Sequence, residues 1–298
     1  MYEKLLIPLD GSPAAERALS FVDVLQRVVR VPIELVYAVD VSFITAHGKA
    51  RFVDFLIDEA ERSGRAYLRG VATELKRFEV RCTVEQGKPA DVIIERGAAA
   101  NTLIVMATHG RSGIHRWLLG SVAEKVLRGT SAPLLLLRST EGDRWKPGVT
   151  VKSIIVPLDG SLLAESALAT ATEMAISLDA EMVLIRAYEL PAEAYYGKED
   201  YLPNYDILKA EGRAAANAYL EEKAEAIRAR GVKIVTKLVA DGLPADQIIG
   251  CAANYPDSLL AMSSHGRSGL RRWALGSVTE TVVRHTRQPV LVLRATQS

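Results

Sequence analysis

Cysteine is scarce in this sequence, which has only Cys82 and Cys251 among its 298 residues. The two lie far apart and form no CxxC pair, so neither a disulfide scaffold nor a structural zinc site is expected. We interpret both as small, buried, apolar side chains.

A surplus of charge of one sign is also missing, because 37 basic and 36 acidic side chains leave a formal net charge of +1. Nucleic-acid coats and polybasic membrane binders both need a field of one sign. We therefore expect neither a nucleic acid nor a membrane as a partner. The hydrophobic fraction of 49% is ordinary for globular proteins and excludes wholesale disorder.

Long hydrophobic runs are absent as well. The uncharged stretch around residues 103–106 is well short of the ~20 residues that cross a bilayer. Residues 1–4 lead directly into the apolar run 5–7, which leaves no room for the regions of a signal peptide. We therefore expect a cytoplasmic location.

The chain contains an internal repeat. Three short segments recur in the same order 149, 155 and 156 residues later: 8–12 (PLDGS) at 157–161, 87–91 (GKPAD) at 242–246 (GLPAD), and 109–113 (HGRSG) at 265–269. Solenoid repeats have periods of 20–50 residues, so this much longer spacing indicates a duplicated domain. We predict a first domain over residues 1–140, a polar linker over 141–150 and a second domain over 151–298.

Each copy alternates short apolar runs with segments of helical periodicity. In the first copy the predicted strands are 5–7, 33–39, 81–85, 103–106 and 134–137, and the predicted helices begin near residues 13, 50, 89 and 121. Apolar strands separated by helices indicate βαβ units and a parallel sheet that is covered on both faces. We therefore predict an α/β fold of two tandem, open, doubly wound (Rossmann-like) domains, each with a mostly parallel five-stranded sheet.

Two loops of each copy follow apolar strands, where doubly wound sheets bind ligands. The first is the Asp-Gly-Ser turn at residues 10–12 and 159–161. The second runs from residue 107 to 121, or from 263 to 277, and carries glycines and two arginines into the start of a helix. The amides of a helix N-terminus favour a phosphate, and a glycine lets the phosphate approach the backbone. The sequence thus predicts an anion site.

A purely structural interpretation of the second loop is also open. Residues 121–124 (SVAE) and 277–280 (SVTE) both fit the S/T-x-x-E capping box, in which the serine side chain caps its own helix without any ligand. Capping does not explain the additional glycines upstream, or the arginines at 111, 116, 267 and 272. We therefore favour the ligand site.

The Pro-Leu-Asp-Gly-Ser opening and the glycine loop together resemble the universal stress protein family in a tandem form, over nearly the whole chain. The ATP-binding branch of that family carries a glycine, two residues, a second glycine, nine residues, and then a glycine followed by serine or threonine. Gly110 with 120–121, and Gly266 with 276–277, match the later part of this motif. Ala107 and Ser263 stand in place of its first glycine.

The resemblance implies one ATP site in each half, with Mg²⁺ accompanying the ATP, and leaves open whether AMP or ADP is the resident ligand. Asp10 and Asp159 would approach the ribose or the metal, and the backbone at Ala38 and Ala187 would contact the adenine edge. The full set of expected binding residues is Pro8, Asp10, Ala38, Met106, Ala107, His109, Gly110, Arg111, Gly120, Ser121 and Val122, with Pro157, Asp159, Ala187, Met262, Ser263, His265, Gly266, Arg267, Gly276, Ser277 and Val278.

The resemblance further implies that the last strands, near Leu135 and Leu291, pair the two halves as a pseudo-dimer, and a homodimer of chains is open too. The sequence contains no Walker lysine motif, no HExxH and no G-x-S-x-G elbow, so catalysis is at most slow ATP hydrolysis. The leading hypothesis is a nucleotide-dependent stress or signalling protein. The alternatives are an interaction module without nucleotide and a slow ATPase or phosphotransferase.

Overall fold

The structure, a computed structural model, describes residues 2–42, 52–108, 119–138, 148–188, 205–264 and 275–294. The chain divides into two compact units, Met1–Val149 and Thr150–Ser298. Most of the expected linker, residues 141–147, lies outside the described residues, as do the loops at 109–118 and 265–274.

The first unit alternates strands and helices. Its elements are β1 (Lys4–Pro8), α1 (Pro13–Glu16), a 3-10 turn (Arg17–Phe21), α2 (Val22–Val28), β2 (Ile33–Val39), α3 (Val53–Glu74), β3 (Val80–Gln86), α4 (Pro89–Gly97), β4 (Thr102–Ala107), α5 (Ser121–Gly129) and β5 (Leu134–Leu137).

The five strands of the first unit form a parallel sheet in the order β3-β2-β1-β4-β5. Leu5 pairs with Ile33 of β2 on one side and with Leu103 of β4 on the other. Every residue of β4 and β5 is buried, as expected for strands covered by helices on both faces. The strand order reverses at β1, so the carboxyl ends of β1 and β4 form the switch point of the sheet.

The second unit repeats this plan. Its elements are β6 (Ser153–Pro157), α6 (Leu162–Leu178), β7 (Glu181–Tyr188), α7 (Tyr205–Ala229), β8 (Val235–Asp241), α8 (Pro244–Asn254), β9 (Ser258–Ser263), α9 (Ser277–His285) and β10 (Val290–Leu293). The strands are parallel in the order β8-β7-β6-β9-β10, which places the switch point at the ends of β6 and β9. The predicted fold class, with two tandem Rossmann-like units of five parallel strands each, is confirmed.

The prediction for the cysteines was right for one and wrong for the other. Neither forms a disulfide, and Cys251 is buried, but Cys82 is exposed. Cys82 lies on β3, the outermost strand of the first sheet, in which no residue is fully buried. Among the described residues, no helix is both long and apolar enough to cross a membrane.

Candidate functional site

Each unit has a cavity at the switch point of its sheet. The first has a volume of about 190 Å³ and the second about 480 Å³. The predicted residues that line the first cavity are Pro8, Asp10, Ala38, Met106, Ala107, Gly120, Ser121 and Val122. Those that line the second are Pro157, Asp159, Ala187, Met262, Ser263, Gly276, Ser277 and Val278. The other six predicted residues, His109, Gly110, Arg111, His265, Gly266 and Arg267, lie outside the described residues.

One wall of the first cavity is the turn that follows β1. Oδ1 of Asp10 accepts hydrogen bonds from the backbone N–H of Ser12 at 2.9 Å and from its hydroxyl at 2.6 Å. The same hydroxyl oxygen accepts the N–H of Ala15 at 3.1 Å, so Ser12 caps α1 as predicted. Gly11 has φ +82°, a conformation that glycine adopts without steric cost. The turn therefore holds the aspartate carboxylate at the cavity.

The second unit reproduces this turn with the same geometry. Oδ1 of Asp159 accepts the N–H of Ser161 at 2.9 Å and its hydroxyl at 2.6 Å, and Ser161 accepts the N–H of Ala164 at 3.1 Å. Gly160 has φ +88°. The letter-for-letter repeat in the sequence thus corresponds to a repeated hydrogen-bond arrangement.

The opposite wall is the start of helix α5, and here the capping-box interpretation is wrong. The N-cap is Gly120, not Ser121, and no side chain caps the helix among the described residues. Gly120 donates its N–H to the carbonyl of Thr108 at 2.8 Å, and its own carbonyl accepts the N–H of Glu124 at 2.8 Å. A glycine cap supplies no side-chain acceptor to the amides of the first turn, and Gly120, Ser121 and Val122 line the cavity.

Helix α9 starts in the same way in the second unit. Its N-cap is Gly276, again without a side-chain cap among the described residues. Gly276 donates its N–H to the carbonyl of Ser264 at 2.9 Å. Thr279, where the first unit has Ala123, donates its hydroxyl to the carbonyl of Ser263 at 2.9 Å. Within the described part of each unit, the helix that follows the first strand has a serine cap, whereas α5 and α9 have no side-chain cap.

The floor of the first cavity includes the end of strand β2, which extends beyond the last residue of its neighbour β1. Leu9 donates its N–H to the carbonyl of Val36 at 2.9 Å, just where β1 ends. In a strand, residues two apart direct their backbone groups to the same side. Ala38 therefore directs its N–H and carbonyl toward β1, beyond the last residue of that strand. Ala187 is in the equivalent position in the second unit. The N–H of Leu158 donates to the carbonyl of Ile185 at 2.8 Å, so Ala187, two residues later, directs its backbone groups past the end of β6.

A tyrosine of the long helix binds the first turn of the helix that follows Asp10. The hydroxyl of Tyr67, on α3, donates to Oε1 of Glu16 at 2.9 Å. Its counterpart Tyr219, on α7, donates to Oε1 of Glu165 at 2.8 Å. Burial, together with the hydrogen bond to the neighbouring carboxylate, raises the pKa of both tyrosines well above the ordinary value. Both phenols are therefore neutral donors at physiological pH.

The sequence analysis missed several lining residues. Helix α4 contributes Pro89 and Ile93 to the first cavity, and α8 contributes Pro244 and Ile248 to the second. The repeated Gly-x-Pro-Ala-Asp segment at the start of these helices was the signal that could have identified them. The second cavity is also lined by Arg186 and Tyr188, which no local sequence pattern marks as lining residues.

Comparison with known proteins identifies the family. The model of the universal stress protein family matches residues 1–138 and again residues 150–294. A universal stress protein of Mycobacterium tuberculosis is 27% identical over 220 residues, which cover 74% of this chain and 70% of that protein. Another from the same organism is 25% identical over 310 aligned residues, covering 97% of this chain and 96% of that one.

A solved structure has the same fold. The universal stress protein of Archaeoglobus fulgidus superposes with a TM-score of 0.73 at 22% identity, covering 98% of both chains. Two matches to one family model, in two units with the same strand order, mean that the domain is present twice. The chain therefore belongs to the universal stress protein family and carries two copies of its domain in tandem.

Proposed function

We propose that this chain is a nucleotide-dependent stress-response or signalling protein that binds one ATP in each half. The observation that carries the proposal is the start of helices α5 and α9, where a glycine cap leaves the first-turn amides without a side-chain partner among the described residues. In both units this helix start lines a cavity. The duplication supports a shared role for the two sites.

The helix starts suit the phosphates of a nucleotide. Unpaired amides and the positive end of the helix dipole attract anions, and glycine at the cap admits a phosphate close to the backbone. Gly120 and Gly276 have φ of −61° and −62°, so their conformation does not itself require glycine. Glycine at these two positions therefore matters because, without a side chain, it leaves space for a phosphate beside the backbone.

The opposite part of the cavity suits adenine. Its lining is largely apolar, with Val36, Ile93 and Met106 in the first half. The N–H and carbonyl of Ala38 extend past the end of β1 and offer a donor and an acceptor side by side. Adenine presents a matching pair on its Watson–Crick edge, so one strand end would recognise the base through the backbone alone.

Asp10 and Asp159 fit a role beside a magnesium ion or a ribose. Magnesium is commonly held by one or two carboxylates, with nucleotide phosphates and water as its other ligands. One aspartate in each cavity meets that requirement, and Mg²⁺ would neutralise phosphate charge there. Both aspartates are fixed by Ser12 and Ser161, so each presents its carboxylate to the cavity in a defined orientation.

Isothermal titration of ATP into the full chain tests the proposal. We expect two molecules bound per chain, and one when either Gly120→Asp or Gly276→Asp is introduced, because a carboxylate then occupies the phosphate position. Gly70→Asp and Gly250→Asp are matched controls, since both glycines lie in exposed helix positions with nothing within 4 Å of an added Cβ. Both controls should still bind two.

Absence of binding at millimolar ATP would overturn the proposal, as would two bound molecules in the Gly120→Asp and Gly276→Asp variants. A phosphate-release assay on the wild type and on Asp10→Ala with Asp159→Ala separates binding from turnover. Rapid release that depends on the two aspartates would favour an ATPase. The cytoplasmic location expected from the sequence stays a prediction.

A further inference from the structure

The first half contains a cluster of charged and polar side chains that joins helix α4 to the sheet. Arg96 on α4 forms an ion pair through Nη1 with Oε1 of Glu34 on β2, and another through Nε with Oε2 of Glu85 on β3. Oε2 of Glu34 also lies 2.7 Å from Nζ of Lys4 on β1. The hydroxyl of Thr83 donates to Oε1 of Glu34 at 3.1 Å. One guanidinium thus binds two neighbouring strands at once. We call these five residues the α4 cluster.

The α4 cluster adjoins the first cavity on both the sheet and the helix. On the sheet, Glu85 pairs in register with Ala38, which lines the cavity. On the helix, Arg96 follows Ile93 by three residues, and Ile93 also lines the cavity. Helical residues three apart are neighbours on one face. The side chains that attach α4 to the sheet therefore lie next to those that form the cavity wall.

The second half has an uncharged residue at each of these positions. The strand registers and the repeated start of the helix give the equivalents, which are Ser153 for Lys4, Val183 for Glu34, Leu238 for Thr83, Ala240 for Glu85 and Cys251 for Arg96. Val183 and Cys251 are buried. The five positions differ together between the halves, as expected of residues that act as one group.

Ion pairs and apolar contacts hold a helix in different ways. Charge-assisted hydrogen bonds have preferred directions as well as distances, whereas the burial of apolar surface is non-directional. Arg96 therefore fixes the position of α4 on the sheet, and Cys251 provides no such attachment for α8. The half with the α4 cluster also has the smaller cavity, about 190 Å³ against about 480 Å³.

We propose that Arg96 is a positioning residue of the first site, which holds Ile93 of helix α4 against the base of a bound nucleotide. It acts through its ion pairs with Glu34 and Glu85. The second site has no equivalent residue. This inference rests on the proposed function, in which the start of α5 binds the phosphates and the apolar wall contacts adenine. Loss of Arg96 therefore weakens the contacts of the base and leaves those of the phosphates.

The test compares ATP with inorganic tripolyphosphate, which has the phosphates but no base, in isothermal titrations of the full chain. The Gly276→Asp variant leaves the first site to be measured. In this background Arg96→Met should weaken ATP binding roughly tenfold, as expected for a residue that acts on a ligand through an intervening element. The affinity for tripolyphosphate should stay unchanged. Arg96→Lys retains the charge and should recover most of the ATP affinity. In the Gly120→Asp background, Arg96→Met should leave ATP binding at the second site unchanged.

Two further variants complete the design. Glu85→Gln is milder than Arg96→Met, because the Glu85 side chain is 30% exposed and the ion pairs of Glu34 remain. It should weaken ATP binding at the first site by roughly threefold, again without an effect on tripolyphosphate. Arg128→Met on α5 is the matched control, since Arg128 and its partner Glu124 are 45% and 37% exposed. It should change neither affinity.

The outcomes separate this inference from the proposed function. If Arg96→Met leaves the ATP affinity unchanged, or lowers the affinities for both ligands equally, the role of Arg96 is refuted and the proposed function stands. ATP binding without any tripolyphosphate binding at millimolar concentration would refute the phosphate position, and this inference with it. A wild type that binds no ATP would overturn both proposals. Thermal unfolding shows whether each variant is folded, and Glu85→Gln decides the matter if Arg96→Met is not.

Discussion

A Cβ atom placed on Gly64 of helix α3 would lie 2.8 Å from Cδ1 of Tyr37 on strand β2, so the two elements approach each other this closely only because residue 64 is glycine. The ring of Tyr37 in turn meets the ring of Tyr67 edge-on, with centroids 6.2 Å apart. One glycine thus allows the helix to lie against the strand that borders the first cavity.

Gly64→Ala should destabilise the first unit despite the better helix propensity of alanine. Overpacking lowers the free energy of unfolding by about 1–3 kcal/mol. The higher helix propensity of alanine raises it by up to about 1 kcal/mol. We expect a net loss of about 1 kcal/mol, measured as a lower midpoint of urea unfolding. Gly70→Ala on the same helix is the control: an added Cβ meets nothing within 4 Å there, so the midpoint should rise. A rise in both variants would contradict the close approach.

Stability should depend on the ionised form of Glu34. Its own burial raises the pKa of Glu34, but Lys4 at 2.7 Å, Arg96 and the hydroxyl of Thr83 outweigh that effect and hold the pKa below its ordinary value. A lowered pKa in the folded state means that the stabilisation is complete above the unfolded value and is lost as the pH falls through the folded value.

Glu34→Gln should therefore lower the free energy of unfolding at pH 7 by about 2 kcal/mol, and the difference from wild type should shrink below about pH 4. Urea unfolding of the variant and the wild type at a series of pH values measures this difference in the free energy of unfolding. Glu59→Gln is the control, because Glu59 and its partner Arg62 are 53% and 64% exposed. Its effect should stay below about 0.5 kcal/mol. A constant difference for Glu34→Gln across the whole pH range would refute the assignment.

Loss of a serine cap should destabilise the helix that follows each aspartate turn. Ser161→Ala removes the acceptor of the Ala164 amide and a donor to Asp159, at a cost of about 1 kcal/mol. Ser166→Ala, later in the same helix, removes only an exposed bond to the Leu163 carbonyl and should be nearly neutral. Thermal unfolding compares the two, and equal shifts would show that Ser161 is not a stabilising cap.

The two thiols should react at very different rates. Burial raises the pKa of Cys251 to about 11, and Cys251 is enclosed, whereas Cys82 is exposed although its pKa is raised as well. With Ellman's reagent at pH 8 we expect one fast thiol and one that reacts mainly after unfolding. Cys82→Ser should remove the fast phase and Cys251→Ser should retain it. The reverse pattern would mean that the burial of these residues is misassigned.

Much of the fold could be predicted from the sequence, because each strand is marked locally. The strand at residues 33–39 was predicted with its observed bounds, and the cap at Ser12 was identified from the serine and proline that begin the helix. The 3-10 turn at Arg17–Phe21 was not predicted, since the sequence there has the same helical periodicity as its neighbours.

The cavity lining could be predicted where it repeats and not where it depends on packing between distant elements. The aspartate turns, and Gly120 with Gly276, recur in both halves of the sequence, so they stood out as candidates, although the glycines were not identified as helix caps. The capping box failed because the cap is the last residue with extended backbone, and that residue is Gly120 rather than Ser121. The contact between Arg186 and Tyr219 depends on the alignment of α7 against β7, which no local pattern specifies.

The hydrogen bonds that fix Asp10 and Asp159 would also affect the thermodynamics of the proposed nucleotide binding. A mobile side chain that becomes ordered at an interface loses rotamer entropy worth about 0.5–1.5 kcal/mol. In the folded chain, hydrogen bonds from Ser12 and Ser161 already restrict the two aspartate side chains. The entropy cost of ordering these side chains is therefore incurred when the chain folds and not when a ligand binds. The aspartate turn is thus preorganised, and the affinity of the proposed nucleotide at that wall would depend on the contacts that the nucleotide itself makes.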